Sequence, residues 1–272
     1  MSPKCDSGTM QQQNTLREKL EAGEVTLGGQ TVTHDPSVVE TCGNLGLDFV
    51  WIDFEHIGPA PNNAKLFEDL ARAAEVSGTE LLVRIPKSDP SLVRKLLDSS
   101  VRNLLIPRVE TAEEVRRVVE ASRFSYEDGV GERGISASRA SNWGSKLGNE
   151  YLDKEDQNAS VGVMIENTTA VENLDEILAV EDLGFIMIGQ SDLSVSIGHP
   201  LEFDHPEVKS TIEKIRETSQ SYDVPVGRVS GSTDHARQAI ENGAQMVRIS
   251  GGEIGALRDK LTNKLEELDE FR

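Results

Sequence analysis

The sequence predicts a single-domain α/β protein built as a (β/α)8 TIM barrel, and three observations carry that expectation. Short apolar, β-rich runs recur near residues 25, 49, 80, 103, 161, 184, 224 and 246, and helical patterns separate nearly all of them. Eight such alternations within roughly 250 residues match a closed parallel barrel. A doubly wound open sheet would more often carry a Gly-rich phosphate turn after its first strand, and Gly28-Gly29 lacks the G-x-G-x-x-G spacing.

Taken in order, residues 1–13 are polar and read as a disordered arm, and residues 14–272 as the barrel domain. Asn14 caps a short helix over 15–22 that stops at Gly23. A strand follows at 25–29, and Asp35-Pro36-Ser37 opens a helix to about Leu45. The second strand, Phe49 to Ile52, is apolar throughout, as a strand buried on both faces should be. Leu66, Leu70, Ala73 and Ala74 give the helical period over 64–77. The third strand is Glu80 to Ile85, with a helix from Asp89 to Leu97; the fourth is Asn103 to Pro107. Thr111-Ala112-Glu113-Glu114 has the capping-box pattern and opens a helix to about Ala121.

Residues 124–158 read as one long irregular stretch, a length usually kept for function. Strands at 161–165 and 184–188 flank a helix over 169–178. His205-Pro206-Glu207 opens a helix to about Tyr222, a strand covers 224–228, a helix 233–242, a strand 246–249, and a last helix 253–271.

Composition excludes some roles. Against 28 basic residues stand 47 acidic ones, a net charge of -19. Such a surface repels nucleic acid and anionic membranes. The acid is dispersed and Arg outnumbers Lys, which points to a high-salt cytoplasm. The check is a melting series in KCl: stability that does not rise toward molar salt removes the halophile reading. Cys5 and Cys42 make neither a disulfide framework nor a Cys-based zinc site. No apolar run is long enough to span a membrane, and the first residues lack the core of a signal peptide, so a cytoplasmic location is expected.

In a barrel all strand C-termini meet at one face. The polar residues just past the strands are therefore the candidate site: Asp53, Glu55 and His56; Arg84; Arg108; Glu166 and Asn167; Gly189, Gln190, Ser191 and Asp192; Arg228; Ser250. Glu166 and Asp192 follow consecutive strands, which lie about 4.8 Å apart in a sheet. They can share a hard divalent cation, Mg²⁺ or Mn²⁺ rather than zinc. The alternative is that Asp192 caps a following helix. Arg84 ends an apolar strand and needs an anion, either a 2-oxo-acid carboxylate or Asp53 or Glu55. His56 is the natural general base, with Asp53 placed to orient it. His34, His199, His205 and His235 read as surface residues, and Trp51 and Trp143 as packing residues.

Several motifs occur in one order: Ile52-Asp53-Phe54-Glu55-His56 with Asn62-Asn63, Leu82-Val83-Arg84-Ile85-Pro86, Leu104-Leu105-Ile106-Pro107, Arg133-Gly134 with Ser138-Arg139-Ala140-Ser141-Asn142-Trp143, Ile165-Glu166, and Ile188-Gly189-Gln190-Ser191-Asp192-Leu193-Ser194. Together they resemble the HpcH/HpaI aldolase family over residues 14–270. The resemblance implies a metal-dependent, class II pyruvate aldolase that cleaves a 4-hydroxy-2-oxo acid, such as 2,4-dihydroxyhept-2-ene-1,7-dioate or a 2-keto-3-deoxy sugar acid. It makes Glu166 and Asp192 the metal ligands, with Mg²⁺, Mn²⁺ or Co²⁺ as the ion. It makes Arg84 the holder of the pyruvate carboxylate, His56 with Asp53 the catalytic dyad, and the backbone at Gly189, Gln190 and Ser191 part of the carboxylate seat. It also implies a hexamer with the last helix packed on a neighbouring subunit.

The chain departs from the family pattern at the pocket. Phe54 stands where a Gly is common, Met164 where a Gln is usual, and Gln190-Ser191 where Pro-Ala is usual. Ile57-Gly58-Pro59 look inserted. No strand-end lysine is placed for a Schiff base, since Lys87 lies in a Pro-flanked loop. Two other functions compete: a CoA-ester lyase of the citrate or malyl-CoA lyase type, and a catalytically silent metabolite-binding barrel.

Overall fold

A computed structural model describes residues 13–61, 63–249 and 251–271; the expected N-terminal arm, save Gln13, and Asn62, Ser250 and Cys5 lie outside the described residues. The chain forms α1 (Thr15–Glu21), β1 (Thr26–Thr31), α2 (Pro36–Asn44), β2 (Phe49–Asp53), α3 (Ala64–Ser77), β3 (Glu80–Arg84), α4 (Pro90–Asp98), β4 (Asn103–Ile106) and α5 (Ala112–Ala121). A small ribbon follows, β5 (Ser125–Tyr126) with β6 (Gly129–Val130), then α6 (Asn149–Asn158) and β7 (Ser160–Ile165). The remainder is α7 (Thr168–Glu172), α8 (Leu174–Leu178), β8 (Leu183–Ile188), α9 (Gln190–Ile197), α10 (Pro206–Ser221), β9 (Val226–Val229), α11 (Thr233–Glu241), β10 (Met246–Arg248) and α12 (Glu253–Glu267).

Eight parallel strands close into the expected barrel, in the order β1-β2-β3-β4-β7-β8-β9-β10 and back to β1. Alternation along each strand splits the apolar residues into two sets. Phe49, Trp51, Leu82, Leu105, Met164, Phe185, Met187 and Met246 fill the barrel interior together with Leu16 and Leu20 of α1, which closes its N-terminal end. Val50, Ile52, Val83, Leu104, Ile106, Val163 and Ile186 face the helices. Gly162 is required by this packing: a Cβ there would lie 2.2 Å from the Phe185 ring. Among the described residues no helix is long and apolar enough to cross a membrane.

The helix starts follow the caps. Asp35, Asp89 and Thr111 accept hydrogen bonds from the first turns of α2, α4 and α5, and Thr111 with Glu114 completes the capping box. Three expectations need correcting. The stretch 124–158 is not wholly irregular, since it holds the β5–β6 ribbon and α6, and it joins the end of α5 to the start of β7. It therefore lies at the N-terminal end of the barrel, away from the strand C-termini. The helix expected over 169–178 is split into two at Asn173, whose φ of -95° and ψ of 15° leave helical geometry and whose side chain bonds the Glu110 carbonyl. Trp143 is no packing residue, being 65% exposed.

Candidate active site

β2 and β3 pair in a register that sets Asp53 beside Arg84, each the last residue of its strand. The consequence is a two-bond fork. Arg84 Nε donates to Asp53 Oδ1 at 3.0 Å and Nη2 to Oδ2 at 2.6 Å. Asp53 Oδ1 also accepts from the Glu55 N–H at 2.9 Å and the His56 N–H at 3.5 Å, which turns the chain after β2. Burial pushes the Asp53 carboxyl up, but the Arg84 hydrogen bonds and charge and the two N–H donors hold it below the usual carboxylate range.

Arg84 Nη1 lies 3.0 Å from Glu55 Oε2, and the His56 Nε2 lies 3.4 Å from the same oxygen. The structure thus fills the Arg84 fork with the two protein carboxylates that the sequence offered as its alternative partners. Asp53 touches His56 through the backbone, because its oxygens are committed to Arg84, and Glu55 is the carboxylate beside the imidazole. The imidazole is 60% exposed and open to a ligand. Burial pushes Glu55 up, against Arg84 and His56 which lower it.

Glu166 stands just past β7 and is buried. Its Oε1 accepts from the Arg108 N–H at 2.7 Å. Arg108 delivers that N–H from a left-handed backbone, φ 55°, a conformation costing about 1–3 kcal/mol. Gly189 is fixed by the same side chain: a Cβ there would lie 2.6 Å from Glu166 Cβ and Oε2. Asp192 is exposed and sits in the first turn of α9, inside the helix rather than at its cap, which is Gly189. Burial raises the Glu166 carboxyl, the Arg108 N–H opposes that, and the charges of Asp192 and Glu55 add to the rise.

Glu166 and Asp192 therefore fit a hard divalent cation, which would relieve their repulsion. They make a pair, leaving other coordination positions to water or substrate oxygens. Among the described residues the one group of three close His or carboxylate ligands is His199, His205 and Glu207, between α9 and α10.

α9 starts after Gly189 without a side-chain cap. Its first-turn N–H groups, at Gln190 and Ser191, are of the kind that bind anions. The Gln190 side chain is occupied, its Oε1 accepting from Arg228 Nη2 at 2.6 Å.

Two comparisons and a profile fix the family. The sequence model described as HpcH/HpaI aldolase/citrate lyase matches residues 31–254. The chain belongs to the HpcH/HpaI aldolase/citrate lyase family. It is accordingly an enzyme of the carbon–carbon lyase type. It is 32% identical over 254 residues to a 5-keto-4-deoxy-D-glucarate aldolase of Escherichia coli O157:H7, covering 93% of this chain and 96% of that one. The crystal structure of an HpcH/HpaI aldolase/citrate lyase family protein from Burkholderia cenocepacia J2315 superposes with a TM-score of 0.85 at 28% identity, over 94% of this chain and 99% of that one. The citrate synthase SbnG superposes with a TM-score of 0.80 at 25% identity, over 94% and 97%.

Three residues at the mouth of this HpcH/HpaI barrel escaped the sequence reading. His34 is not a surface residue but only 3% exposed, covered by Phe54 at a ring separation of 4.7 Å and by Gly58, where a Cβ would lie 2.0 Å from the imidazole. Phe54 in turn packs on Phe67 at 4.9 Å. Phe54 and Gly58 thus pack together on His34. Glu253 opens α12 and gathers the end of β1, and Arg248 faces the interior over Trp51. For Arg248 a signal existed: an Arg two residues past the interior-facing Met246 shares its face.

Proposed function

We propose that this enzyme cleaves a 4-hydroxy-2-oxo acid to pyruvate and an aldehyde, with a divalent cation held by Glu166 and Asp192. The observation that carries the reading is a buried carboxylate and an exposed one, each just past one of two neighbouring barrel strands, at the same barrel end as the Asp53-locked Arg84. Mg²⁺ or Mn²⁺ suits that donor set, with Co²⁺ as a further candidate. When bound, the ion would act as a Lewis acid toward the carboxylate and ketone oxygens of the substrate.

The chain's own residues do the rest. Arg84 supplies fixed positive charge where the ketone oxygen becomes negative, its direction set by Asp53. His56 accepts the proton of the 4-hydroxyl. The C3–C4 bond then breaks, the aldehyde carbonyl forms, and the electron pair passes into the 2-oxo fragment, whose C3 takes a proton to give pyruvate. Glu55 steadies the imidazole, and Asp53 acts as a positioning residue through Arg84 and the turn. The N–H groups at Gly189, Gln190 and Ser191 seat the substrate carboxylate. The name of the Escherichia coli relative favours a deoxy sugar acid as substrate.

The test is pyruvate release from a panel of 4-hydroxy-2-oxo acids, before and after EDTA and with Mg²⁺, Mn²⁺ or Co²⁺ restored. Release is expected only with metal. Release that survives full metal removal overturns the class II reading. Silence on the whole panel overturns the aldolase reading, and cleavage of 3-hydroxyacyl-CoA esters then separates a CoA-ester lyase from a barrel that only binds metabolites.

We also infer a homo-oligomer built through α12. Ile254, Leu257, Leu261 and Leu265 recur on one stripe of this helix and are 46–55% exposed, and no side chain of α12 is buried within the chain. Light scattering should give a multiple of the 29.8 kDa chain, and Leu257→Glu with Leu261→Glu should lower it. A monomeric wild type removes the inference.

A further inference from the structure

We propose that His199, His205 and Glu207 form a metal site separate from the Glu166 and Asp192 pair, one that takes a borderline divalent ion such as Zn²⁺ and pins the end of α9 to the start of α10. It stands apart from the aldolase reading, because it uses none of the residues assigned to that reaction. Two imidazole nitrogens and one carboxylate oxygen lie here within 4.8 Å of one another. Two histidines with one glutamate are a set that holds zinc and leaves a fourth position to water. Imidazole nitrogen suits Zn²⁺ or Ni²⁺, whereas the all-oxygen pair at Glu166 and Asp192 suits Mg²⁺ or Mn²⁺.

The backbone presents these side chains from fixed points. α9 ends at Ile197, and Gly198 turns the chain with a left-handed φ of 99°. The His199 N–H then donates to the Ser194 carbonyl at 2.9 Å, and the Leu201 N–H to the Ser194 hydroxyl at 2.9 Å. Ser194 is fully buried, so the loop is tied to the packed side of α9. His205 is the N-cap of α10. Its N–H donates to the Glu202 carbonyl at 2.9 Å and its carbonyl accepts from the Lys209 N–H at 3.0 Å. Each histidine precedes a proline, Pro200 or Pro206, which narrows its backbone further. Ordering ligand side chains on such a backbone costs less than on a free loop.

The side chains already converge. The two imidazoles stack with ring centroids 3.3 Å apart and planes 20° apart, and His199 Nε2 lies 3.2 Å from Glu207 Oε2. Such a group, on a chain of net charge -19, attracts cations. Tetrahedral zinc sets its donors roughly 3.3 Å apart, a closure that side-chain rotation can supply. Each lone pair lies in its own ring plane, so binding turns the rings out of their stack. His205 also gives up its cap, in which Nδ1 accepts from the Glu207 N–H at 3.3 Å. That bond is long and Glu207 is exposed, so water can take the N–H over. Imidazole is not among the usual caps, which this chain places at Asn14, Asp35, Asp89 and Thr111, so capping alone does not explain His205. α9 carries Asp192 in its first turn and has no side-chain cap there; an ion at its other end braces the same helix.

The test is calorimetric titration of the whole, metal-stripped protein with Zn²⁺, in a Glu166→Gln, Asp192→Ala background that removes the other carboxylate pair. One Zn²⁺ per chain should bind, and equimolar Mg²⁺ should not displace it. His199→Gln and His205→Asn, each added to that background, should weaken Zn²⁺ by about 100-fold or more, above the range of changes made around a ligand. Asn caps helices well, so His205→Asn keeps the start of α10 and separates ligation from capping. Zn²⁺ should also raise the melting temperature of the background protein and not of either histidine variant. If the background does not fold, each histidine variant of the wild type should bind one Zn²⁺ fewer per chain than the wild type does. No Zn²⁺ on the background protein overturns the site. So does Zn²⁺ that binds both histidine variants undiminished, which is an adventitious ion only, and so does displacement of Zn²⁺ by equimolar Mg²⁺.

Discussion

The two ends of the barrel use ionic groups in opposite ways. At the N-terminal end each buried arginine is held by a carboxylate, though among the described residues Arg123 Nε and Arg133 Nε and Nη1 have no hydrogen-bond acceptor. Arg133 Nη2 lies 2.6 Å from Glu155 with its guanidinium 4.7 Å from the Phe124 ring, and Arg139 forks onto Glu75 at 3.0 and 2.6 Å. Arg123 donates to the Ala159 carbonyl at 2.9 Å and lies 3.3 Å from Asp182. At the C-terminal end Arg84 is closed by Asp53 and Glu55, but other charges are held in place and left open. Glu166 keeps one backbone donor and faces a second carboxylate, His56 is exposed, and the Arg248 Nε is buried without an acceptor. Charge at one end locks chain segments together. At the other it is stabilised only enough to be oriented, and a ligand must finish the pairing.

The sharpest way to break that contrast is at Glu166. Glu166→Gln and Asp192→Ala should each lower kcat/KM for pyruvate release by about 1,000-fold or more, the scale of removing a group needed for transition-state charge. Neither should lower the melting temperature, because each removes one of two repelling carboxylates. Added Mg²⁺ should raise the melting temperature of the wild type and not of Glu166→Gln. A Glu166→Gln protein that is active, or that melts well below the wild type, places Glu166 among the locking residues instead.

The opposite end predicts the opposite split. Arg123→Met removes a guanidinium that is 2% exposed and cuts its bonds to the Asp156 and Ala159 carbonyls. It should cost about 2–4 kcal/mol, the range for a buried charged donor whose acceptors are stranded. Urea unfolding would show this as a lower midpoint. At 25 °C kcat/KM should stay within about twofold of the wild type, since the residue lies at the far end of the barrel. A large loss of activity at unchanged stability would mean that the two ends are coupled.

How much of this contrast the sequence could show depends on the kind of contact. Strands and most helices were legible, because buried parallel strands are apolar on both faces and the caps Asp35, Asp89 and Thr111 are local signals. Asp53, Arg84, Glu166 and Asp192 were legible as a set, because closing a barrel brings strand ends together whatever the details. The pairing within the set was not. It turns on the Asp53–Arg84 register and on which side chain reaches first, so Asp53 went to Arg84 and His56 to Glu55. The burial of His34 was invisible because its cover, Phe54 and Gly58, lies twenty or more residues away in sequence. The long 124–158 stretch misled by length alone: its place at the N-terminal end follows from the strand it precedes.

The smallest effect concerns Glu253, which belongs to the mouth yet is fully paired. It opens α12 and accepts from the Val32 N–H at 3.0 Å, from the Thr33 N–H at 2.7 Å, and from the hydroxyls of Thr31 and Thr33. Burial pushes its carboxyl up, but the Thr33 hydroxyl and the backbone donors outweigh that and hold it at about 2, against an ordinary value of 4.5. A lowered carboxylate stabilises the fold above its unfolded value, and that contribution is lost as pH falls toward the folded one. Glu253→Gln should therefore melt about 2–4 °C below the wild type at pH 7, the shift that ~1 kcal/mol produces in a chain of this size. The gap should hold down to about pH 5, then close between roughly pH 4.5 and 2 as the wild-type carboxylate takes up its proton. A gap that stays constant through that window would mean that Glu253 acts by shape rather than by charge. It would also move this corner of the mouth into the class of the locked N-terminal end.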